Sequence, residues 1–282
     1  MNKKNTFPIL RISLIILSGF FLGSIGVPKD LSAAMSAQQI MEKNENNRRM
    51  NDIKAQAIIV TGTEGKPQKV KQFSWWRKLA SDGTHFDTLT RFLSPAEIRG
   101  EGILFLEHPG SENEVLMYLP NFKKIRRVEP QQQSGSFMGS ELSYSDISTP
   151  HVSDYNHRLI GQQPCLGVGS KEMQCFVVET TPKNEAVRNS TGYSKTVHWV
   201  RMNSFMDSQT EFYDLQGVLF KRFVATEITK VDIEKDKWMA LKVQVSQIKT
   251  GRFTTLEFSK VQVNQGLAAS LFTQQNLSKN GF

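Results

Sequence analysis

The chain has 282 residues, 39% hydrophobic and 22% charged, with 35 Lys+Arg against 27 Asp+Glu and a formal net charge of +8. That length is large for one domain but suits a barrel-like all-β fold. Beyond the N-terminus no apolar run is long enough to cross a bilayer. The first residues set the compartment. Lys3, Lys4 and Arg11 form a basic head, an apolar stretch runs from Ile12 to Val27, and Ser32-Ala33-Ala34 supplies small residues. These are the parts of a secretory signal peptide, cut near Ala33 or Ala34. The expected organisation is therefore a signal peptide at 1–34 and a single domain at 35–282, exported to the periplasm. Losing Lys3, Lys4, Arg11, Lys29 and Asp30 lowers the net charge from +8 to +5. A mildly basic exported protein suits anionic membrane surfaces or acidic partners, and export argues against nucleic acid.

Ser36-Ala37-Gln38-Gln39 reads as a capping box. It predicts a helix from Ala37 to Arg49 whose thin apolar edge holds Ile40 and Met41 and continues to Met50 and Ile53. Strand-like runs separated by turns follow. They cover 54–61, 68–79, 84–93, 102–107, 114–119, 124–129, 155–160, 173–181, 193–202, 210–213, 218–227, 238–248 and 252–263. Leu241, Val243 and Val245 alternate with polar residues, as in an antiparallel sheet with one buried face. The parity slip at Ser259-Lys260 predicts a bulge. In contrast, Ile103–Leu106 and Val115–Leu119 are apolar on both faces and must be covered on both sides. A second helix is expected over 267–278. The stretch 131–148 fits neither period and reads as a long loop of the kind that carries function. Asp146 within it is expected to cap a turn or helix.

Cys165 and Cys175, separated by a glycine-containing turn, are expected to pair in an oxidising compartment. Closing so short a loop contributes about 2–3 kcal/mol in the chain-entropy view. They lack the CxxC spacing of a thiolate metal site. The histidines, His85, His108, His151, His157 and His198, are scattered. Asp146 and Asp154 lie near two of them, in no ligand spacing. No catalytic signature is present: Gly135-Ser136-Phe137-Met138-Gly139 places its serine one position too early for a nucleophile elbow. No enzyme activity, metal or cofactor is expected.

Three segments together are informative. They are Arg91-Phe92-Leu93-Ser94-Pro95-Ala96-Glu97-Ile98-Arg99-Gly100, then Tyr118-Leu119-Pro120-Asn121-Phe122-Lys123-Lys124-Ile125-Arg126-Arg127, then Ser134-Gly135-Ser136-Phe137-Met138-Gly139-Ser140 with Leu142-Ser143-Tyr144-Ser145-Asp146. In this order the chain resembles the outer-membrane lipoprotein-sorting proteins, relatives of the LolA/LolB carriers, over roughly residues 37 to 278. The resemblance implies a mainly β fold, an incomplete antiparallel β-barrel with helices plugging its concave face. It also implies a carrier that shields acyl chains of lipid or lipoprotein on the way to the outer membrane, working with an RND-type inner-membrane exporter. The better-known carriers latch a helical lid with an arginine, for which Arg91 and Arg99 are the candidates here.

A carrier needs an apolar hollow. Each acyl methylene taken from water contributes about 0.8 kcal/mol, so a long chain gains on the order of 10 kcal/mol before ordering costs. Candidate lining residues are Trp75, Phe86, Phe92, Leu104, Leu106, Met117, Leu119, Trp199, Phe212 and Phe223; ordinary core packing is the competing reading of each. Gly135, Phe137, Met138 and Gly139 are read as a rim or gate loop, or simply as a tight turn. Lys123, Lys124, Arg126 and Arg127 form a basic patch for headgroups or an exporter, or a solvated hairpin end. The rival function is a docking module of an exporter that carries no lipid. A hydrolase would instead require an Asp/His pair converging in a pocket.

Overall fold

The computed structural model describes residues 35–108, 113–148, 151–166 and 173–279. The signal segment at 1–34 lies outside them. Helix α1 (Ala37–Asn47) begins at the expected capping box: Ser36 accepts from the Gln39 amide and the Gln39 side chain accepts from the Ser36 amide. Its buried residues are Ala37, Ile40, Met41 and Asn44, a stripe at helical spacing. Met50 and Ile53 do not extend this stripe. The helix ends at Asn47, and both pack instead with the sheet.

All thirteen expected strands are present. They are β1 (Asp52–Thr63), β2 (Lys69–Leu79), β3 (Phe86–Ser94), β4 (Gly102–Leu106), β5 (Glu114–Leu119), β6 (Lys124–Val128), β7 (Tyr155–Pro164), β8 (Gln174–Pro182), β9 (Lys195–Arg201), β10 (Asp207–Tyr213), β11 (Leu219–Asp232), β12 (Lys237–Gln247) and β13 (Arg252–Val263). They form one antiparallel sheet in the order β6-β5-β4-β3-β2-β1-β13-β12-β11-β10-β9-β8-β7. The first strand pairs with the last, and β6 and β7 end the sheet. The barrel is thus incomplete. The expected bulge sits where β1 and β13 slip register, with Lys260 at φ 51°.

Register sorts the side chains. Ala57 lies opposite Phe73, Phe73 opposite Phe92, and Val243 opposite Leu256. Ile103 and Phe105 follow on β4, and Met117 and Val115 on β5. These residues, or their in-phase neighbours, make the largest apolar cluster and mark the inner face. On the other face Trp76, Leu89, Leu104, Leu116 and Tyr118 meet Phe272 and Leu277 of the C-terminal segment. Both-sided burial of β4 and β5 is therefore real, but its outer cover is the C-terminus.

That segment is not the continuous helix expected over 267–278. It is a 3-10 turn at Ala269–Leu271 and a short helix α4 (Gln274–Leu277). Thr273 interrupts it in an extended conformation, and its side chain accepts the Asn276 amide. Competing caps of this kind break helices. Arg91 holds the segment down, donating to the Leu277 carbonyl at 2.9 Å and the Gly100 carbonyl at 3.0 Å. It clamps the outer face, so it is not the lid latch. Arg99 donates to the Leu93 carbonyl at 3.1 Å within the β3–β4 corner and latches no lid either. Gly102 lies beneath the clamp: a Cβ there would stand 2.8 Å from Leu277 Cδ1 and 3.0 Å from Arg91 Nη1. Gly102→Ala is expected to destabilise by about 1–3 kcal/mol through overpacking, read by thermal melting. An unchanged melting temperature would contradict the clamp.

Candidate functional site

The inner face is crossed by the segment that sequence periodicity leaves unassigned. After a turn at Pro130–Gln132 it forms a small hairpin. Ser136 bridges Ser143, and the Phe137 amide donates to the Leu142 carbonyl at 2.7 Å. Met138 at φ 50° and Gly139 at φ 74° make its tip. The fold of the tip carries Phe137 inward. The ring is 1% exposed and lies 6.4 Å from Phe92, 6.2 Å from Phe105 and 5.6 Å from Tyr144, centroid to centroid. Phe73 stacks on Phe92 at 5.4 Å, and Trp75 on Phe258 at 5.1 Å. Edge-to-face and tilted aromatic pairs of this sort add to the hydrophobic gain. Phe137 is therefore part of the packed inner layer and does not stand on an open rim. The turn geometry at Met138-Gly139 turns the side chain in.

Polar bonds fasten this crossing segment. Near its tip, the Glu141 amide donates to Thr254 Oγ1 at 2.8 Å and its carboxylate pairs with Arg252 at 2.6 Å. Its end is the short helix α2 (Tyr144–Ile147), where Ser143 and Asp146 form a second capping box, the capping role expected for Asp146. Asp146 also does more. One oxygen accepts from Tyr193 Oη at 2.7 Å, and the other pairs with the Lys221 ammonium on β11. Lys221 is 4% exposed and stands over the rings of Phe212 at 4.5 Å and Tyr193 at 4.8 Å. Burial, then the Asp146 charge, raises the Tyr193 pKa, so this phenol stays a donor. An ion pair this deep requires several partners to offset its desolvation, and it has them.

Register also separates the predicted lining residues. Trp75, Phe92, Met117 and Phe223 belong to the inner cluster. Phe86 shares their parity and stacks under Arg77, whose guanidinium carbon is 3.9 Å from the ring centroid. Phe212 sits on the same face with Lys221 and Tyr193, and Leu119 continues the parity of Met117. Leu104 and Leu106 instead face the C-terminal segment. Trp199 packs on the outer face with Cys175, beside the disulfide. These three are cover for the convex side, because β4 and β9 are buried on both faces and periodicity alone does not tell the faces apart. The Cys165–Cys175 disulfide is present, with Cα atoms 5.0 Å apart, joining β7 to β8. Lys123, Lys124, Arg126 and Arg127 are exposed on and beside edge strand β6.

Sequence reasoning missed Tyr193 and Lys221. The available signal was a lysine in phase with Phe223 and Ala225, whose partners Val245 and Val243 are apolar.

The histidines serve structure in several places. Asp82 accepts the Thr84 and His85 amides and pairs with His85 Nδ1 at 2.7 Å, locking the β2–β3 turn. His198 pairs with Asp207 across β9 and β10. Among the described residues no three His, Cys, Asp or Glu side chains are placed to hold a metal. His151 lies 3.5 Å from buried Glu107. Glu107 holds the His151 pKa above its ordinary value, as hydrogen-bond partner and as charge, against the effect of burial. A raised histidine pKa stabilises the fold fully below the unfolded value of about 6.5 and ceases to do so as pH rises through the folded value. Native protein should therefore outlast His151→Gln in melting at roughly pH 5.5, with the gap closing toward pH 8.5. A gap that widens with pH would contradict this pairing.

The chain is similar to a solved DUF1329 family protein from Desulfovibrio piger, with TM-score 0.78 and 24% identity over 86% of this chain and 97% of that one. A family model described as an uncharacterized protein matches residues 85–279, which include the crossing segment and the C-terminal clamp. The chain belongs to the family that this model describes. The protein also shares its fold with a domain from Vibrio parahaemolyticus named for outer membrane lipoprotein sorting, at TM-score 0.78 and 22% identity over 86% and 98% of the two chains. A LolA superfamily protein from Nitrosomonas europaea superimposes at TM-score 0.65, with 20% identity over 86% and 99%. No curated protein matches. No helix among the described residues is long and apolar enough to cross a membrane.

Proposed function

We infer that this protein is a periplasmic carrier. After cleavage near Ala33 or Ala34, one half-barrel domain, 35–282, shields acyl chains of lipid or lipoprotein on their way toward the outer membrane. The single observation that supports this best is the inner face itself. A continuous apolar surface spans β1–β5 and β11–β13, and its cover is a hairpin that packs Phe137 and Leu142 into that surface and is fastened by polar bonds near its tip and at its end. A tied hairpin is a removable cover in a way that a core helix is not. Lifting it uncovers Trp75, Phe92, Met117 and Phe223 together. Acyl binding of this kind needs no covalent chemistry, no metal and no cofactor. The exported carrier would receive its cargo from an RND-type inner-membrane exporter.

Purification of the expressed full chain followed by lipid mass spectrometry tests the reading. Co-purified acyl species, and uptake of a fluorescent fatty acid, are expected. A protein free of acyl species that also takes up no fatty acid would leave the rival, a docking module without cargo.

A further inference from the structure

The antiparallel order puts the β1–β2, β3–β4, β5–β6, β10–β11 and β12–β13 turns at one end of the sheet. Phe122 stands at the β5–β6 corner of that end, 71% exposed. The corner is stiff. Pro120 opens its 3-10 turn, and Lys123 closes it at φ 50° with its amide on the Pro120 carbonyl at 3.1 Å. The aromatic side chain is therefore held out in water by the backbone. Lys123 and Lys124 follow it directly and Arg126 lies further along β6, all three exposed and none with an ion pair among the described residues. At the same end Val70 and Ile248 are exposed beside Lys69 and Lys249.

We propose that this end of the half-barrel docks on an anionic phospholipid surface, with Phe122 inserted at the headgroup boundary and Lys123, Lys124 and Arg126 against the lipid phosphates. The chemistry is two-part. Each basic residue near an anionic bilayer strengthens binding, and an aromatic ring at the interface adds apolar burial. A bilayer suits this end better than an acidic protein does, because its apolar tips are single side chains on separate turns. A fluid surface accepts separated tips, whereas a protein interface needs one contiguous, packed core. Ile233 at the opposite end is also exposed, but around it Asp232, Glu234 and Asp236 balance Lys230, Lys235 and Lys237, so no net positive charge stands beside it. The proposal deepens the carrier reading by giving the cargo a place to enter and leave. Its test is separable, since vesicle binding can fail while fatty-acid uptake succeeds.

The test is co-sedimentation of the protein, purified from expression of the full chain, with vesicles of phosphatidylethanolamine and phosphatidylglycerol. Pure phosphatidylcholine vesicles are the reference. Binding to the anionic vesicles is expected to weaken with added salt. Phe122→Ser should weaken it about tenfold. The triple variant Lys123→Asn, Lys124→Gln, Arg126→Gln should weaken it roughly a hundredfold. All four positions are exposed, so the fold is retained, and Ile233→Ser should change nothing. Equal binding to both vesicle types, no binding at low salt, or a triple variant that binds like the native protein would each overturn the proposal. Binding to an acidic polypeptide but to neither vesicle would overturn it in favour of a protein partner.

Discussion

Asp146→Ala is expected to lower the melting temperature by roughly 6–12 °C, more than any single surface change. The substitution leaves the Lys221 ammonium at 4% exposure without its carboxylate, facing the rings of Phe212 and Tyr193. Stranding one partner of a buried pair costs about 3–5 kcal/mol. For a domain of this size about 2–4 °C follows each kcal/mol. The lower end applies because cation–π contact offsets part of the loss. Lys221→Met should cost less, since Asp146 keeps the Ser143 amide and the Tyr193 hydroxyl, each at 2.7 Å. Asp146→Ala combined with Lys221→Met should melt above Asp146→Ala alone, because no orphaned ammonium is then buried. A double variant equal to the sum of the two singles would show that the pair is not coupled. If lifting the hairpin limits cargo entry, the same variants should bind fluorescent fatty acid more tightly. Apparent affinity is reduced by the fraction of molecules closed, and weakening the tie raises the open fraction.

The second large effect belongs to Phe137→Ala. Removing a buried phenyl group costs about 3–5 kcal/mol where the surroundings do not collapse. Collapse is limited here, because Phe105 and Phe92 belong to central strands and the hairpin backbone is pinned at Glu141 and Asp146. The predicted consequence is regional. Amide exchange should accelerate from 136 to 146 while the amides of β1, β2 and β13 keep their protection. Such a pattern marks the segment as an opening unit of its own. Uniform acceleration throughout the sheet would make the hairpin an integral part of the core and weaken its role as a cover.

The sheet was readable in the sequence because each strand is bounded by turn residues and two of them alternate clearly. The bulge at Lys260 was readable from the parity slip. The faces were not. Leu104 occupies a strand apolar on both sides and Trp199 a strand of mixed residues on both, and nothing local says which side of either faces inward. The placement of Leu277 under Arg91 is a contact over 186 residues of sequence, beyond the reach of any pattern. Arg91 itself illustrates the hazard: its position before an informative motif pointed to a lid, and its register opposite Gly102 turns it to the other face. The Asp146–Lys221–Tyr193 node escaped for a related reason. Asp146 explains itself locally as a cap, so its second oxygen drew no partner from 75 residues away.

The most direct measurement is photo-cross-linking with a fatty acid carrying a diazirine at its terminal carbon, mapped by peptide mass spectrometry. Adducts are expected on the crossing segment around Phe137 and Met138 and on the inner-face residues of β2, β3 and β5, with more of them in Asp146→Ala. Adducts confined to the outer face near Leu104 and Leu277, or none in a protein shown to be folded, would contradict that placement.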